Sequence, residues 1–453
     1  MTALLLDSTD PRPVHFIGIA GAGMSALAEL LVRRGVPVAG TDSNPLGAPD
    51  LTALGVAVSP HDPARVAVAR AVVYSSAIPA THPEMEAARA AGLPLIRRAE
   101  ALAAAVHGTR LVGIAGTHGK TTTTVITTEA LAAAGVDPTG VVGGRVGLWG
   151  GNLRLGTLRL EEPGALPAAS PAVARPVSVV EADEYDRSFL ALDPTVAVIL
   201  NVEADHLDIY RDLADITAAF AQFAAPAQTV VRCADDDGAM AVPLPAGVAV
   251  LSYSATAPGD APARHAATAQ LVACDLRWTS TGSVFRVERA GADLGTVTLA
   301  VPGVHNVRNA LAALASGLAL GATVDAMAPG LAGFRGVERR FQRLALVAGV
   351  EVIDDYAHHP TEVAATLAAA RLAFPGQRIL VAFQPHLYSR TRDLQAEFAA
   401  ALAAADGVFL CDIYGARETP MPGVTSALIG DRLPTGRLAW SGPRTAVAQA
   451  LRT

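Results

Sequence analysis

Lysine is almost missing from this chain: Lys120 is the one lysine in 453 residues, beside 34 arginines. Cysteine is scarce as well. Cys233, Cys274 and Cys411 lie far apart with no CxxC pair, which speaks against a zinc ribbon or a disulfide framework and suits a reducing compartment. There is no excess of positive charge; the formal net charge is -7, the wrong balance for a nucleic-acid partner. Long apolar runs are absent too. The longest uncharged helical stretch, Ala310–Val324, is short and rich in small residues, which excludes a bilayer span there. The opening "MTALLLDSTD" has too brief an apolar segment for a secretion signal. A cytoplasmic chain with no membrane insertion and no nucleic acid is expected.

What is present is apolar and long. Half of the residues are hydrophobic, at 51%, and 17% are charged, so several cores can form, and the length predicts two or three domains. "VHFIGIAG", "MSALAELLVRRG", "VPVAGTD", "AVVYSSAIP" and "PEMEAARAAG" alternate strand with helix, the pattern of parallel βαβ units. The pattern restarts at "RLVGIAG", with a helix from about Lys120 to Ala134. "PVSVVEAD" and "TVAVILNVEADH" read as buried strands ending in acids, preceded by a Pro/Ala-rich surface loop, "EEPGALPAASPAVARP". Residues 245–303 read as a hairpin-rich flank. "HNVRNALAALASGLALG" returns to helix. After a linker near Pro329 comes a third α/β unit, with helices running to about Phe374 and Ala405. The expected domains are 1–107, 108–328 and 329–453.

"GIAGTHGKTTTT", Gly113–Thr124, places the solitary lysine between a glycine and a hydroxyl run, after a strand and before a helix. Backbone amides and the helix N-terminus there direct positive charge at an anion. The strict Walker pattern needs glycine where Ile114 stands, but Gly116, Thr117, His118, Gly119, Lys120 and Thr121 keep its tail. Lys120 would reach the β- and γ-phosphates of ATP, and the Thr121 hydroxyl would ligate Mg²⁺. An ammonium is a slim point charge, whereas a guanidinium is a wide fork that a tight backbone cradle excludes. "EADEYD" and "NVEADHLDIY" sit at strand C-termini, where open parallel sheets bind ligands. Glu181 suits a Mg²⁺ ligand, and His206 a second metal or a phosphate. The plain alternative is that such acids cap helices, as Asp186 and Asp205 are expected to do.

The glycines at 18, 21 and 23 are spaced GxxGxG rather than GxGxxG, with Asp42 24 residues after Gly18. Any diphosphate ligand suits such a turn, and a nicotinamide dinucleotide in an oxidoreductase remains open at this point. "DDYAHHP" and "FQPHLYSRT" cluster His, Asp and Arg after two strands of the third unit.

Taken in order, "HFIGIAGAGMSALAELL", "GTHGKTTT", "EADEYDRSFL", "NVEADHLDIY", "PGVHNVRNA", "RRFQ", "DDYAHHPTE" and "FQPHLYSRT" resemble the Mur ligase family, over His15 to about Leu451. The resemblance implies three α/β domains. The N-terminal one is Rossmann-like and holds a UDP-sugar, the central one is P-loop ATPase-like, and the C-terminal one is Rossmann-like and admits an amino acid. It assigns Gly21, Ala22, Gly23, Met24, Ser25, Asp42 and Ser76 to the UDP-sugar. ATP would meet Gly116 through Thr122, together with Asn306, Asn309, Arg339, Arg340 and Asp355. Tyr356, His358 and Arg390 would border the amino acid, Arg390 clamping its carboxylate, and Thr121, Glu181 and His206 would hold two Mg²⁺ ions. Lys120, Glu181, His206, His358 and Arg390 are the expected catalytic set.

The implied reaction makes an acyl phosphate on UDP-N-acetylmuramate and then an amide with L-alanine. The recycling members, which add a whole peptide, are the near alternative. Later members carry a carbamylated lysine, which a chain with no second lysine cannot make; this favours the alanine-adding branch. A monomer or homodimer is expected. The chain departs from many relatives at Ala20, where they have glycine, and from some at Leu387, where they have a basic residue. Relatives also continue with a Gly-rich strand beyond "TAVAQALRT", so either a truncated end or a missing edge strand is expected.

Overall fold

The computed structural model describes residues 2–156, 175–279, 281–416 and 418–452. Most of the stretch expected to form a Pro/Ala-rich loop, residues 161–174, lies outside them. The chain divides into two compact units. One comprises Met1–Leu276, Phe285–Leu299 and Val307–Glu338; the other comprises Arg277–Val284, Ala300–Asn306 and Arg339–Thr453.

The first unit begins with strands β1 (Val14–Ile17), β2 (Val38–Thr41), β3 (Ala57–Ser59), β4 (Ala71–Tyr74) and β5 (Leu95–Arg97). They form a parallel sheet in the order β3-β2-β1-β4-β5. Val14, Phe16 and Ile17 on β1 are fully buried, as a strand covered by helices on both faces requires. The helix Ala22–Arg33 buries Met24, Leu27, Leu30 and Leu31 at helical spacing. The strand order reverses at β1, and the glycine turn follows that strand, at the topological switch where such sheets take ligands.

A second sheet is built from β6 (Arg110–Ala115), β7 (Thr139–Val146), β8 (Gly151–Arg154), β9 (Val177–Glu181), β10 (Val196–Ile199), β11 (Thr229–Cys233), β12 (Ala249–Ala255), β13 (Leu271–Trp278), β14 (Ser283–Arg289) and β15 (Ala292–Leu299). Among the described residues their order is β15-β14-β13-β12-β11-β10-β6-β9-β7-β8. β6 pairs in parallel with β9 on one side and β10 on the other. The loops after these three central strands therefore open on one edge of the sheet. The flank expected to be hairpin-rich begins otherwise: β12 joins β11 in parallel, and β13 joins β12 in parallel. The segment between β12 and β13, which holds the short 3₁₀ turn Ala266–Thr268, is long enough for the crossover that a parallel pair needs.

The helix Lys120–Ala133 carries a run of threonines that are buried from Thr121 to Thr124. β-Branched hydroxyl residues are poor helix formers, but three of these hydroxyls are satisfied within the helix. Thr124, Thr127 and Thr128 each donate to the carbonyl four residues back, at 2.8, 2.7 and 2.7 Å. On the other side of the central sheet, the helix Leu213–Ala224 packs Phe220 and Phe223 against Phe189. The rings of Phe189 and Phe223 stack with centroids 5.0 Å apart. Phe223→Ala is expected to lower stability by about 3–5 kcal/mol through lost burial and a residual cavity, measured as a shift of the urea midpoint.

The second unit holds a hairpin, β16 (Gln342–Val347) with β17 (Val350–Asp354), antiparallel with an irregularity between Arg343 and Ala345. Its other sheet is parallel, in the order β18 (Leu380–Phe383), β19 (Gly407–Cys411), β20 (Leu438–Gly442). Val363, Leu367, Phe398, Leu402 and Leu410 form its core. The helix expected to run to Ala405 is two helices, Tyr388–Asp393 and Gln395–Leu402, parted at Leu394 with φ -117 and ψ 23. No helix among the described residues is long and apolar enough to cross a membrane.

Candidate active site

The loop Gly116–Gly119 leaves β6 and turns into the helix that starts at Lys120. Two glycines are required by the space available. A Cβ on Gly116, at φ 151, would fall 2.8 Å from Leu200 Cβ, and one on Gly119, at φ 82, would fall 2.9 Å from Asn309 Oδ1. Asn201, after β10, braces the loop from the side. Its Oδ1 accepts from the His118 amide at 2.7 Å, its Nδ2 donates to the His118 carbonyl at 3.1 Å, and its carbonyl accepts from the Thr117 amide at 3.1 Å. The Thr117 hydroxyl accepts from the Glu203 amide at 2.9 Å. Thr122 is buried behind the loop.

Lys120 folds back into this cradle. Its Nζ donates to the Gly116 carbonyl at 2.7 Å and the Thr117 carbonyl at 3.3 Å, and pairs with Glu184 Oε2 at 2.7 Å. Desolvation works against the ammonium, but the nearby Glu184, Asp183 and Glu181 outweigh it, and its pKa is raised. Burial pushes the Glu184 carboxyl the other way, up to about 7, with Lys120 opposing it. The charged state of Lys120 follows from its three acidic neighbours. Glu184 is held in place by a tight bend in which Asp186 and Arg187 both adopt φ 55.

Glu181, the last residue of β9, accepts from the Thr121 hydroxyl at 2.8 Å through Oε1 and from the Gly143 amide at 2.6 Å through Oε2. A hydroxyl and a carboxylate side by side at the foot of a phosphate cradle are hard oxygen donors, which fit Mg²⁺. His206, at φ 53, reaches this group through Glu184: its Nε2 lies 3.8 Å from Glu184 Oε1 and 3.9 Å from Asp205 Oδ2. The structure thus gathers Lys120, Thr121, Glu181 and His206. It adds Glu184 and Asn201, two residues of the quoted acidic motifs to which sequence reasoning gave no role.

A cavity of about 320 Å³ runs beside the carboxylates. Its lining includes Gly18, Gly21, Ala22, Gly23 and Met24 of the glycine turn, Gly143, Glu181 and Asp183, and Ser75 and Arg98. The glycine turn and the acidic strand end therefore share one space. Asn152 Nδ2 ties the turn to the β7–β8 hairpin by donating to the Ala22 carbonyl at 3.1 Å. Ser25 stands just behind, its hydroxyl donating to Ala22 O at 3.0 Å. Asp42 braces the turn, Oδ2 accepting from the Ala20 amide at 2.9 Å. Ser76 is exposed, and the lining serine is its neighbour Ser75. Arg98, from "IRRAE", is a cation that sequence reasoning passed over.

In the second unit, Asp355 follows β17 and accepts from the amides of Phe341 and Ala357, each at 2.8 Å. Burial pushes its carboxyl up, with these amides and Arg340 opposing. Arg339, at φ 60, stacks its guanidinium 4.4 Å over the Tyr356 ring, and Arg340 pairs with Glu362 at 3.3 Å. Tyr356 and His358 lie 5.2 Å apart, His358 and His386 6.0 Å apart. Arg390 is buried on the short helix after Leu387, its Nη1 3.5 Å from His386 Nδ1. Leu387 is itself buried at φ 72 and ψ 137, a conformation rare outside glycine. His386, also in "FQPHLYSRT", joins the set that sequence reasoning named. Asn306, on the helix Val304–Ala319, donates to the Pro302 carbonyl at 2.7 Å, while Asn309, on that helix, faces Gly119.

Three family models cover the chain in series. Residues 13–110 match the Mur ligase family catalytic domain, 114–317 the Mur ligase middle domain, and 339–453 the Mur ligase glutamate ligase domain. The UDP-N-acetylmuramate--L-alanine ligase of Acidothermus cellulolyticus is 45% identical over 430 residues, 93% of this chain and 84% of the relative. That of an Arthrobacter species is 46% identical over 428 residues, 93% of this chain and 86% of its own length. Among solved structures, UDP-N-acetylmuramate-alanine ligase MurC from Thermotoga maritima is similar at a TM-score of 0.77 and 26% identity, over 96% of this chain and 92% of that one. The murein peptide ligase of Psychrobacter arcticus shares the fold, at a TM-score of 0.68 and 22% identity over 97% and 98%. With the phosphate cradle, the acidic strand end and the glycine turn in one unit, and models and relatives matched along nearly the whole length, this chain belongs to the Mur ligase family.

Proposed function

We propose that this protein is an ADP-forming ligase that joins L-alanine to the carboxylate of UDP-N-acetylmuramate in peptidoglycan precursor synthesis. The observation that carries the reading is the shared cavity, in which a diphosphate-type glycine turn opens onto the Glu181 end of the ATP-type cradle. The relatives named for this activity, 41–46% identical, support it.

The sugar nucleotide sits with its diphosphate on Gly21–Met24, and its carboxylate points toward Glu181. The carboxylate oxygen attacks the γ-phosphorus of ATP, the bond to the β-phosphate oxygen breaks, and ADP leaves. Lys120 and the amides of Gly116–Thr122 hold the transferring phosphoryl in line and balance its charge. Magnesium, held as two ions by Thr121, Glu181 and His206, supplies further positive charge there when bound. The free amine of L-alanine then attacks the acyl carbon; the amide bond forms, phosphate departs and the amine proton is lost. Arg390 binds the alanine carboxylate as a planar fork, with Tyr356 and His358 bordering it. Asn306, Asn309, Arg339, Arg340 and Asp355 hold the nucleotide. A cytoplasmic monomer or homodimer completes the reading.

The test measures ADP and phosphate release. Release is expected to require UDP-N-acetylmuramate, and amide formation to require L-alanine besides. ADP formed equally fast without the sugar nucleotide would refute the ligase. A tripeptide used in preference to L-alanine would assign the chain to the peptide-adding branch.

A further inference from the structure

Outside the reacting centre, the N-terminal sheet buries a cluster that the mechanism above does not use. Glu84, near the start of the helix Pro83–Ala90, is wholly inaccessible to solvent. Its Oε2 accepts from the Thr41 hydroxyl at 2.6 Å and lies 3.3 Å from Nε2 of the buried His15. Its Oε1 accepts from the Asp62 amide at 2.7 Å and lies 3.4 Å from His61 Nδ1. His61 Nδ1 is also 3.1 Å from the Thr41 hydroxyl, and the His61 ring meets His82 edge-on with centroids 4.6 Å apart. A buried carboxylate with this many partners is costly to place in a small domain. Burial would push it up, but His15, Thr41 and the Asp62 amide hold it down at about 2.

The network leads toward the cavity through one residue. Thr41 ends β2, and while its hydroxyl is fixed by Glu84, its carbonyl accepts from the amides of Gly18 and Ile19 at 2.8 and 3.1 Å. Gly18 lines the cavity, and its own carbonyl accepts from the Gly21 amide at 3.2 Å. Asp42, the next residue, braces Ala20. The amides that would face a diphosphate are thus aimed by Thr41, and Thr41 is aimed by Glu84.

We propose that Glu84 and Thr41 are positioning residues for the sugar-nucleotide turn, setting the Gly18–Gly23 backbone that receives the diphosphate. The inference rests on the proposed reading that this turn binds UDP-N-acetylmuramate. Its role is to hold donors at a fixed place before the ligand arrives, so that binding needs little reorganisation.

The experiment compares wild type with Thr41→Val, Thr41→Ser and Glu84→Gln. UDP-N-acetylmuramate binding by calorimetry is measured first, then steady-state kinetics with each substrate varied. Thr41→Val is expected to raise Kd and KM for the sugar nucleotide about tenfold, the weight of one charge-assisted hydrogen bond. kcat, and KM for ATP and L-alanine, should stay within about twofold, and Thr41→Ser should restore the sugar-nucleotide KM. Glu84→Gln, if folded by circular dichroism, should match Thr41→Val; if it does not fold, the Thr41 pair decides. An unchanged KM for the sugar nucleotide in Thr41→Val, or an equal loss in all parameters, would overturn the positioning role. Failure of wild type itself to bind UDP-N-acetylmuramate would instead overturn the functional reading beneath it.

Discussion

Lys120→Arg is expected to lower kcat on the order of 10²–10³-fold with the fold intact. The reason is geometric rather than electrostatic, since the charge is kept. The cradle that receives the lysine is closed by the Gly116 and Thr117 carbonyls at 2.7 and 3.3 Å, and by Glu184 at 2.7 Å. A guanidinium is wider than an ammonium and donates in a fixed plane. To fit, it must displace a carbonyl or withdraw from the phosphate position, and phosphoryl transfer depends on that placement. Single-turnover measurement of ADP formation separates this from a product-release effect. Turnover within about threefold of wild type would show that the solitary lysine has no special place in the reaction. The thermal midpoint should move little, because the ion pair with Glu184 is available to either cation.

Glu181→Gln is expected to cost at least roughly 10²-fold in turnover at ordinary magnesium concentrations. The amide keeps the size of the side chain, and its oxygen can accept from the Gly143 amide while its NH2 donates to the Thr121 hydroxyl oxygen. It loses the negative charge that the proposed magnesium role of Thr121 and Glu181 requires. Part of the loss should return as magnesium is raised, which distinguishes weakened metal binding from misfolding. Turnover that is unchanged, or lost without any response to magnesium, would remove Glu181 from the metal site. The nearby Glu184 is no substitute, being committed to Lys120.

Strand-then-helix alternation, the phosphate-type loop and the acids at strand ends were legible because each depends on local chemistry. "GTHGK" needs its glycines where Leu200 and Asn309 crowd the backbone, and such spacing survives in any reading of the chain. The roles of Glu184 and Asn201 were not legible. Both stand in quoted motifs, but which acid faces Lys120 is set by the positive-φ bend at Asp186 and Arg187, a conformation no periodicity announces. Ser75, rather than the exposed Ser76, lines the cavity for a similar reason. A one-residue difference at a strand end reverses which side chain faces inward. The parallel pairing of β12 and β13 was hidden because short alternating strands look alike whether they return by a turn or by a crossover. Arg98 carries no motif of its own and matters as a wall of the cavity; His386 stands inside a quoted motif, but its place beside His358 depends on a neighbour distant in sequence.

The solitude of Lys120 has a consequence for reagents as well as for substrates. The chain offers amine-directed chemistry a single ε-amino group, and that group stands inside the Gly116–Gly119 loop with 13% of its side chain open to solvent. Any acyl donor that modifies a lysine here necessarily modifies this one. The acids that raise its pKa keep it as an unreactive ammonium. Covalent labelling of the ε-amine, read as one added mass, is therefore a readout of how tightly those acids close around it.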